Sequence, residues 1–416
     1  MAAIPVLQII HISDLHFKAT DEAGWSRFYA ERRVLNRWLS QLFADRNLLG
    51  WHEGTQGHQP AAERGFARFL ETKRAAEPEW FVKTPTWLVD TGDLTTFGDP
   101  ASIRLGKRVL DDWAAVLRPN ARRELFGNHD AWPGCGPMTD FGAHEVNQFA
   151  QQAIVTDYLE WQEPRWISQP LRARIPGTQS FIELYALSSI PWAGNANARA
   201  VGRVDPQSVT DLQNELAKRS AAEPDVNHFR ILAIHHPVAY PYTPSETRAA
   251  PGIPFLSKMR LANAKDLVHR LRNEPRQCPK DCFVHLILSG HTHASYPAGA
   301  ISPAVAVEAV RQDGLDDRQL QLVAGSLTQN RTREAIEAGE AEKRETRMVD
   351  NYSTSTLNHA AYQGSILRFS AEEDLAAADT GALILERIPI FGAEGTEFGT
   401  RKSETQRYMM RYRRGP

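Results

Sequence analysis

The sequence predicts an α/β fold, and three observations carry that expectation. Short continuous apolar runs recur along the chain, segments with helical spacing separate them, and the runs stop abruptly at Asp, Asn or His. Continuous apolar runs suit strands buried on both faces of a sheet. Strands alternating with helices suit an α/β domain, and such sheets collect ligands at the carboxyl ends of their strands.

The runs come in order. Val6 to Ile12 ends in Ser13-Asp14-Leu15-His16, and Thr86 to Val89 ends in Asp90-Thr91-Gly92-Asp93. Glu124 to Phe126 ends in Gly127-Asn128-His129-Asp130, and Phe229 to Ile234 in His235-His236-Pro237. Phe283 to Leu288 ends in Ser289-Gly290-His291-Thr292-His293.

Helical segments lie between them. Asp99-Pro100 reads as a cap followed by a first-turn proline, with Ile103, Leu110, Trp113 and Leu117 on one face. Asp205-Pro206 repeats that start before Val209, Leu212 and Leu216, and Ala264 to Leu271 forms a further helix. The first strand-to-strand connection, about 17–83, is long enough to be an insertion. Trp25, Phe28, Leu35, Trp38, Leu39 and Leu42 suggest one helix in it, and Phe66, Phe69 and Leu70 a second. Asp45 to Pro60 between them reads as a loop, either a lid or substrate rim or a solvated decoration.

Beyond His293 the pattern changes. Ala304 to Val310 and Gln319 to Ala324 read as a hairpin around Asp313-Gly314, and Ser365 to Phe369 and Ala382 to Ile390 as later strands. Arg331 to Arg347, within a charged stretch of about 331–350, is a solvated helix or loop. The expected organisation is one domain over 1–399 and a polar, basic surface tail over 400–416.

Composition narrows the function classes. Hydrophobic residues make up 42% and charged residues 24%, which excludes wholesale disorder. A net charge of -2 argues against binding nucleic acid or membrane by bulk charge. No apolar run approaches the roughly 20 residues of a membrane span. Cys135, Cys278 and Cys282 form an odd, sparse set without a disulfide framework, which suits a reducing compartment. The expectation is a soluble, cytoplasmic protein without a membrane partner.

Singly, the polar strand-end residues say little. Together, Asp14-x-His16, Gly92-Asp93, Gly127-Asn128-His129-Asp130, His235-His236-Pro237 and Gly290-His291-x-His293 supply carboxylates, an amide oxygen and several imidazoles. Mixed nitrogen and oxygen ligands suit borderline metals such as Zn, Fe or Mn. In an extended chain residues i and i+2 point to one side, so Asp14 can converge with His16, and His291 with His293.

This set, in this order, resembles the signature of the calcineurin-like metallophosphoesterase superfamily, and it spans the chain from Asp14 to His293. The block Ala186-Leu187-Ser188-Ser189, followed by Gly202-Arg203-Val204 and a helix, is similar to the class III cyclic-nucleotide phosphodiesterase branch. Ser188 there replaces a commoner aspartate.

The resemblance implies a four-layer α/β/β/α sandwich of two mixed sheets flanked by helices, to which the residue pattern adds the helical insertion after the first strand. It also implies a dinuclear centre of Fe, Mn or Zn. Asp14, His16 and His293 would hold the first metal, Asn128, His235 and His291 the second, and Asp93 would bridge both. His235 rather than His236 fits the ligand position, with His236 orienting it or lining the pocket. His129 would assist the leaving group or stabilise the transition state, and Asp130 would hold its imidazole.

The implied reaction is hydrolysis of a phosphate ester, favouring a diester. Two cations about 3.5–4 Å apart neutralise the ester and clamp its oxygens, and coordination lowers the pKa of water from about 15.7 to roughly 7. A positioned imidazole adds about 10²–10⁴ in rate. The expected partner is a small phosphoester, with nucleotides among the candidates. A DNA nuclease of the same superfamily and a non-catalytic binding scaffold are the alternatives.

Other residues have weaker claims. His52, His58 and His359 could edge a pocket, while His11, His144, His228, His269 and His285 suit structural or solvated positions. Arg199 and Arg203 could meet a phosphate, and Trp51 and Trp132 could stack on a base.

Overall fold

The fold is that of a computed structural model, which describes residues 3–17, 60–95, 100–130, 169–190, 202–238, 261–271, 283–291, 320–324, 362–373, 380–393, 397–400 and 405–413. Strand β1 (Ile4–Ile12) is followed by helix α1 (Pro60–Ala76), a π-helical turn (Glu79–Lys83) and β2 (Thr86–Asp90). Then come α2 (Pro100–Leu117), β3 (Ala121–Glu124), β4 (Leu171–Arg174), β5 (Phe181–Ala186) and α3 (Pro206–Ala222). They are followed by β6 (His228–Ala233), α4 (Ala264–Arg270), β7 (Leu286–Ser289) and β8 (Leu320–Val323). The described elements end with β9 (Tyr362–Glu373), β10 (Thr380–Ala393), β11 (Glu397–Thr400) and β12 (Gln406–Arg413).

Two mixed sheets organise these elements. A seven-stranded sheet runs β11-β10-β9-β1-β2-β3, with β12 also on β10, and a five-stranded sheet runs β4-β5-β6-β7-β8. In the first, β1, β2 and β3 are parallel, and in the second, β5 to β8 are parallel. Strands β9 to β12 and β4 supply the antiparallel pairs. The chain is thus mixed α/β, as its alternating pattern predicts.

Three apolar clusters explain the strand sequences. Leu7, Ile9, Trp87 and Val89 of the first sheet meet Ile182, Leu184, Ile231 and Leu288 of the second. Ile10, Ile12 and Leu88 on the other side of β1 and β2 meet Phe66 and Leu70 of α1 and Leu110, Trp113 and Leu117 of α2. Tyr185, Leu232 and Ile287 meet Val209, Leu212 and Leu216 of α3 and Leu267 of α4. The central strands are therefore covered on both faces, which is why they read as continuous apolar runs. The α3 start behaves as its sequence suggests, with the Asp205 carboxylate accepting the Ser208 amide N–H.

The described part of the insertion, 60–83, is structural cover: Phe66 and Leu70 are fully buried, and the Trp113 indole donates to Glu63 O at 3.2 Å. Two boundaries differ from the sequence reading. The third strand is Ala121–Glu124, an Arg-rich edge, while Leu125 and Phe126 follow it as buried loop residues. Pairing with β2 selects that register, Trp87 opposite Ala121 to Asp90 opposite Glu124. Leu320–Val323 lies parallel to β7; the expected hairpin partner, Ala304–Val310, lies outside the described residues. The segment expected as a basic surface tail contains β12, paired antiparallel with β10 from Gln406 opposite Arg387 to Arg413 opposite Thr380. Its basic composition conceals a period of two, Arg407, Met409, Arg411 and Arg413 alternating with Tyr408, Met410 and Tyr412.

Also outside the described residues lie the first insertion helix and loop (18–59), the charged stretch 331–350, Cys135, Cys278, Cys282, Trp51, Trp132, Arg199 and His293. The same holds for His52, His58, His144 and His359. No described helix is long and apolar enough to cross a membrane.

Candidate metal centre

Both sheets bring their parallel strands to one end, and the polar strand-end residues meet there. Asp14 and His16 follow β1, Asp93 follows β2, Asn128, His129 and Asp130 follow β3, His235 follows β6, and His291 follows β7. His293, the remaining expected ligand, is not among the described residues.

The first two loops are laced together. Asp14 N donates to Gly92 O at 2.9 Å, His16 N to Asp93 O at 2.9 Å, and Phe17 N to Leu94 O at 2.8 Å. Asp14 and His16 do converge, with His16 Nε2 4.0 Å from Asp14 Oδ1 and 3.9 Å from Asp93 Oδ2. The route is not the extended alternation expected from the sequence. Asp14, His16, Asp93 and His291 have φ of 53°, 50°, 57° and 73°, in the left-handed region. The fifth described non-glycine with positive φ, Arg118, ends α2, a place where that conformation is ordinary. Non-glycine residues held left-handed cost of order 1–3 kcal/mol each and gather at functional sites. Here the turn aims both side chains at one place.

His235 is fixed from the opposite sheet. Its Nδ1 lies 2.8 Å from Thr91 O. A carbonyl can only accept, so Nδ1 carries the hydrogen and the neutral ring has its lone pair on Nε2. That nitrogen lies 3.0 Å from Asn128 Oδ1 and 3.4 Å from Asp93 Oδ2. Three acceptor atoms thus face one another, and Asp93 Oδ2 takes no hydrogen bond. His291 joins them, its amide donating to Asp14 Oδ2 at 2.9 Å and its ring centroid 5.0 Å from that of His235.

The electrostatics express the same shortage of positive charge. Burial favours the neutral acid at Asp93, but the charges of His235, His129 and His16 hold it well below its ordinary range. Burial raises Asp14 to about 7, and the Asp93 charge adds to that. Burial alone would lower His235, yet the Asp93 and Asp14 charges lift it to about 9. Without a metal, a proton on His235 fills the gap among the acceptors. The chemistry of this donor set fits a cation: carboxylate, amide oxygen and imidazole are ligands for borderline metals. Asp14, His16 and Asp93 form one group of such ligands, and Asp93, Asn128 and His235 a second, with His291 beside His235.

His129 sits at the rim of this cluster, only half-buried. Its amide donates to Asp93 Oδ1 at 2.8 Å, and its ring meets the His16 ring edge-on at 4.7 Å between centroids. Asp130 does not hold that ring, which corrects the sequence-based expectation. Its Oδ1 accepts Thr95 N and Thr95 Oγ1, each at 2.8 Å, and its Oδ2 accepts Gly127 N at 2.9 Å and Leu94 N at 3.2 Å. The carboxylate is saturated by three backbone amides and the Thr95 hydroxyl of two site loops, so it acts as their clamp.

Sequence reasoning missed Thr91 and Ser189. Thr91 supplies the carbonyl that sets the His235 tautomer, and its Oγ1 lies 3.1 Å from Nε2 of buried His11. Ser189 bonds the ring of His236. Neither stands in a metal-ligand pattern; Thr91 is revealed by contact between the two sheets and Ser189 by contact between neighbouring strand ends of one sheet. Arg203, a candidate for phosphate, is exposed, and its amide donates to Ser189 O at 2.8 Å.

The family model for calcineurin-like phosphoesterases matches residues 7–295. The chain belongs to that family. That family is one of metal-dependent phosphoesterases with a dinuclear centre, and described His/Asp groups such as His16, Asp93 and His129 lie together in this chain. Among solved structures, the sulfate thiohydrolase SoxB of Thermus thermophilus, in complex with glycerol, is similar at 15% identity with a TM-score of 0.30. That alignment covers 71% of this chain and 50% of SoxB, so the chain spans about half of that protein's length. No curated protein sequence matches the chain.

Proposed function

We propose that this protein is a phosphodiesterase working at a dinuclear metal centre, with small phosphodiesters, nucleotides among them, as substrates. The observation that carries the reading is the facing of Asp93 Oδ2, Asn128 Oδ1 and His235 Nε2, three buried acceptors that a cation would satisfy. Asp14, His16 and His293 would hold one metal, Asn128, His235 and His291 the other, with Asp93 between them. Bound there, Fe, Mn or Zn would supply Lewis acidity, drawing charge from the ester and acidifying water.

The chain's own residues account for the rest. Asp93 stays ionised amid its imidazoles and keeps its charge between the two ligand groups. The His129 amide braces that carboxylate, while the half-buried His129 ring can give a proton to the departing alkoxide. The preference for diesters rests on the likeness of Ala186–Ser189 and Gly202–Val204 to the cyclic-nucleotide branch. The cysteine usage supports a cytoplasmic location.

The test is a hydrolysis panel on purified protein, stripped of metal and then reloaded with Mn, Fe, Zn or Ni. It pairs a phosphomonoester, an aryl phosphodiester, cyclic nucleotides and DNA. Metal-dependent turnover of small diesters is expected. Turnover of monoesters alone, or of DNA alone, overturns the diesterase reading, and inertness with both metals bound favours a binding scaffold.

A further inference from the structure

His235, His236 and His291 bring ring nitrogens within 4.8 Å of one another. Taken alone, that cluster suggests a three-histidine metal site. The hydrogen-bonding around His236 argues otherwise.

The Ser189 hydroxyl sits 2.8 Å from His236 Nδ1, and its oxygen accepts the His236 amide N–H at 3.2 Å. Ser189 is fully buried, and among the described residues His236 Nδ1 is the acceptor available to its hydroxyl hydrogen. Were Nδ1 protonated instead, that hydroxyl would be buried with its hydrogen unsatisfied, a costly arrangement. Ser189 therefore donates to Nδ1, and the hydrogen of the neutral imidazole lies on Nε2. Neither nitrogen then offers a lone pair to a metal. The adjacent His235 has the opposite tautomer, because its Nδ1 meets the Thr91 carbonyl.

The His236 ring is boxed as well as bonded. Its centroid lies 4.3 Å from that of His291 and 4.9 Å from that of His235. On another side Gly202, with φ of 66°, brings its backbone so close that a Cβ there would run into the ring. Gly202 is itself anchored, its carbonyl accepting the Ala262 amide N–H at 3.0 Å.

We propose that His236 is a positioning residue for the second metal site: a non-ligating imidazole, locked by Ser189 and Gly202, that sets the ring planes of His235 and His291. The inference rests on the dinuclear reading above. It places the loop after β5 in control of the affinity of one metal of the pair. Outer-shell partners of metal ligands typically govern about 10–100-fold in affinity.

The experiment is calorimetric titration of metal-stripped protein with cobalt(II), with the visible cobalt spectrum recorded alongside. It compares wild type, His236→Asn and His236→Phe. Wild type should take two equivalents. His236→Asn, which removes the ring, should weaken the second equivalent about 10–100-fold and alter its cobalt bands, leaving the first unchanged. His236→Phe keeps a ring in the gap and should stay within about threefold of wild type, a rescue that a ligand role forbids. Equal weakening by Phe and Asn, or equal weakening of both equivalents, overturns the proposal. So does unchanged binding in a folded Asn variant, with folding read from its thermal midpoint. Should that variant not fold, Ser189→Ala repeats the test by removing the lock alone: selective weakening supports the proposal, and unaltered second-site affinity overturns it. Fewer than two equivalents in wild type overturns the dinuclear reading itself.

Discussion

Asn128 Oδ1 lies 3.0 Å from His235 Nε2, although His235 already gives its Nδ1 hydrogen to Thr91 O. In the neutral ring both facing atoms are acceptors. With Asp93 Oδ2 3.4 Å away, the pair forms a buried pocket of lone pairs spanning two sheets. A charged His235 or a cation can settle it, and the proposed function takes the cation.

In the proposed centre, Asp93 is the group on which both metal sites depend. Asp93→Ala should leave fewer than two metal equivalents bound and abolish hydrolysis. Metal analysis after gel filtration, paired with an aryl phosphodiester assay, checks this. Full activity in the variant contradicts the bridging role.

Gly127 is the spacer that lets Asp93 sit where it does. A Cβ at Gly127 would run into both the carboxylate Oδ1 and the amide of Asp93. Gly127→Ala should push that loop aside. A displacement near 1 Å can cost about 10²-fold in rate, so kcat should fall by roughly that factor while the far sheet, reported by amide exchange at β5 and β6, stays protected.

The His129 ring, rather than its backbone, is assigned to the leaving group. His129→Gln keeps the amide bond to Asp93 and so should keep both metals. Rates with an alkyl leaving group should drop about 10²–10⁴-fold. A p-nitrophenyl ester, whose leaving group needs little protonation, should suffer far less. An equal loss for both esters would count against the proton donor.

Asp130 is a clamp on four donors from two loops. Asp130→Asn turns one acceptor oxygen into an NH2 facing N–H groups. Leaving buried donors unsatisfied costs about 1–3 kcal/mol, so denaturant unfolding should show a loss of roughly 2 kcal/mol. Activity should fall alike for good and poor leaving groups, the reverse of the His129→Gln pattern.

Away from the metal centre, Glu183 is buried near the amino ends of β5 and β6. Its Oε1 lies 3.0 Å from Arg172 Nε and 3.2 Å from His228 Nδ1, and its Oε2 lies 3.8 Å from Arg230 Nε. Burial pushes its pKa up, but the neighbouring His228, Arg172 and Arg230 outweigh that and hold it below its ordinary 4.5. Its stabilising contribution is present above that ordinary value and is lost as pH falls through the lower folded-state one. Denaturant midpoints should therefore decline in acid, less steeply in Glu183→Gln. Near neutral pH that variant should be weaker by roughly 2 kcal/mol, since its buried carboxylate charge no longer faces Arg172 and Arg230. Parallel pH curves for the two proteins would remove Glu183 from this role.

The sequence by itself determined the α/β class, the helix start at Asp205-Pro206 and the strand ends that carry chemistry. Those features are local: an apolar run, a capping carboxylate and a polar stop can each be read within about ten residues. It also supplied Asp14, His16, Asp93, Asn128, His235 and His291 as one set, because each immediately follows a strand and strand ends share one side of a parallel sheet. Tertiary structure alone decided how they are aimed. The left-handed turns at Asp14 and His16 persist because Gly92, Asp93 and Leu94, far away in sequence, accept their loop's hydrogen bonds. The opposite tautomers of His235 and His236 come from Thr91 and Ser189, in the loops after β2 and β5. Pairing with β10 makes a strand of the basic C-terminal segment, and contact with Thr95, Gly127 and Leu94 makes a clamp of Asp130. Donor, acceptor and charge are properties of one residue. Which of them is left over for catalysis depends on partners that only the folded chain brings within about 3 Å.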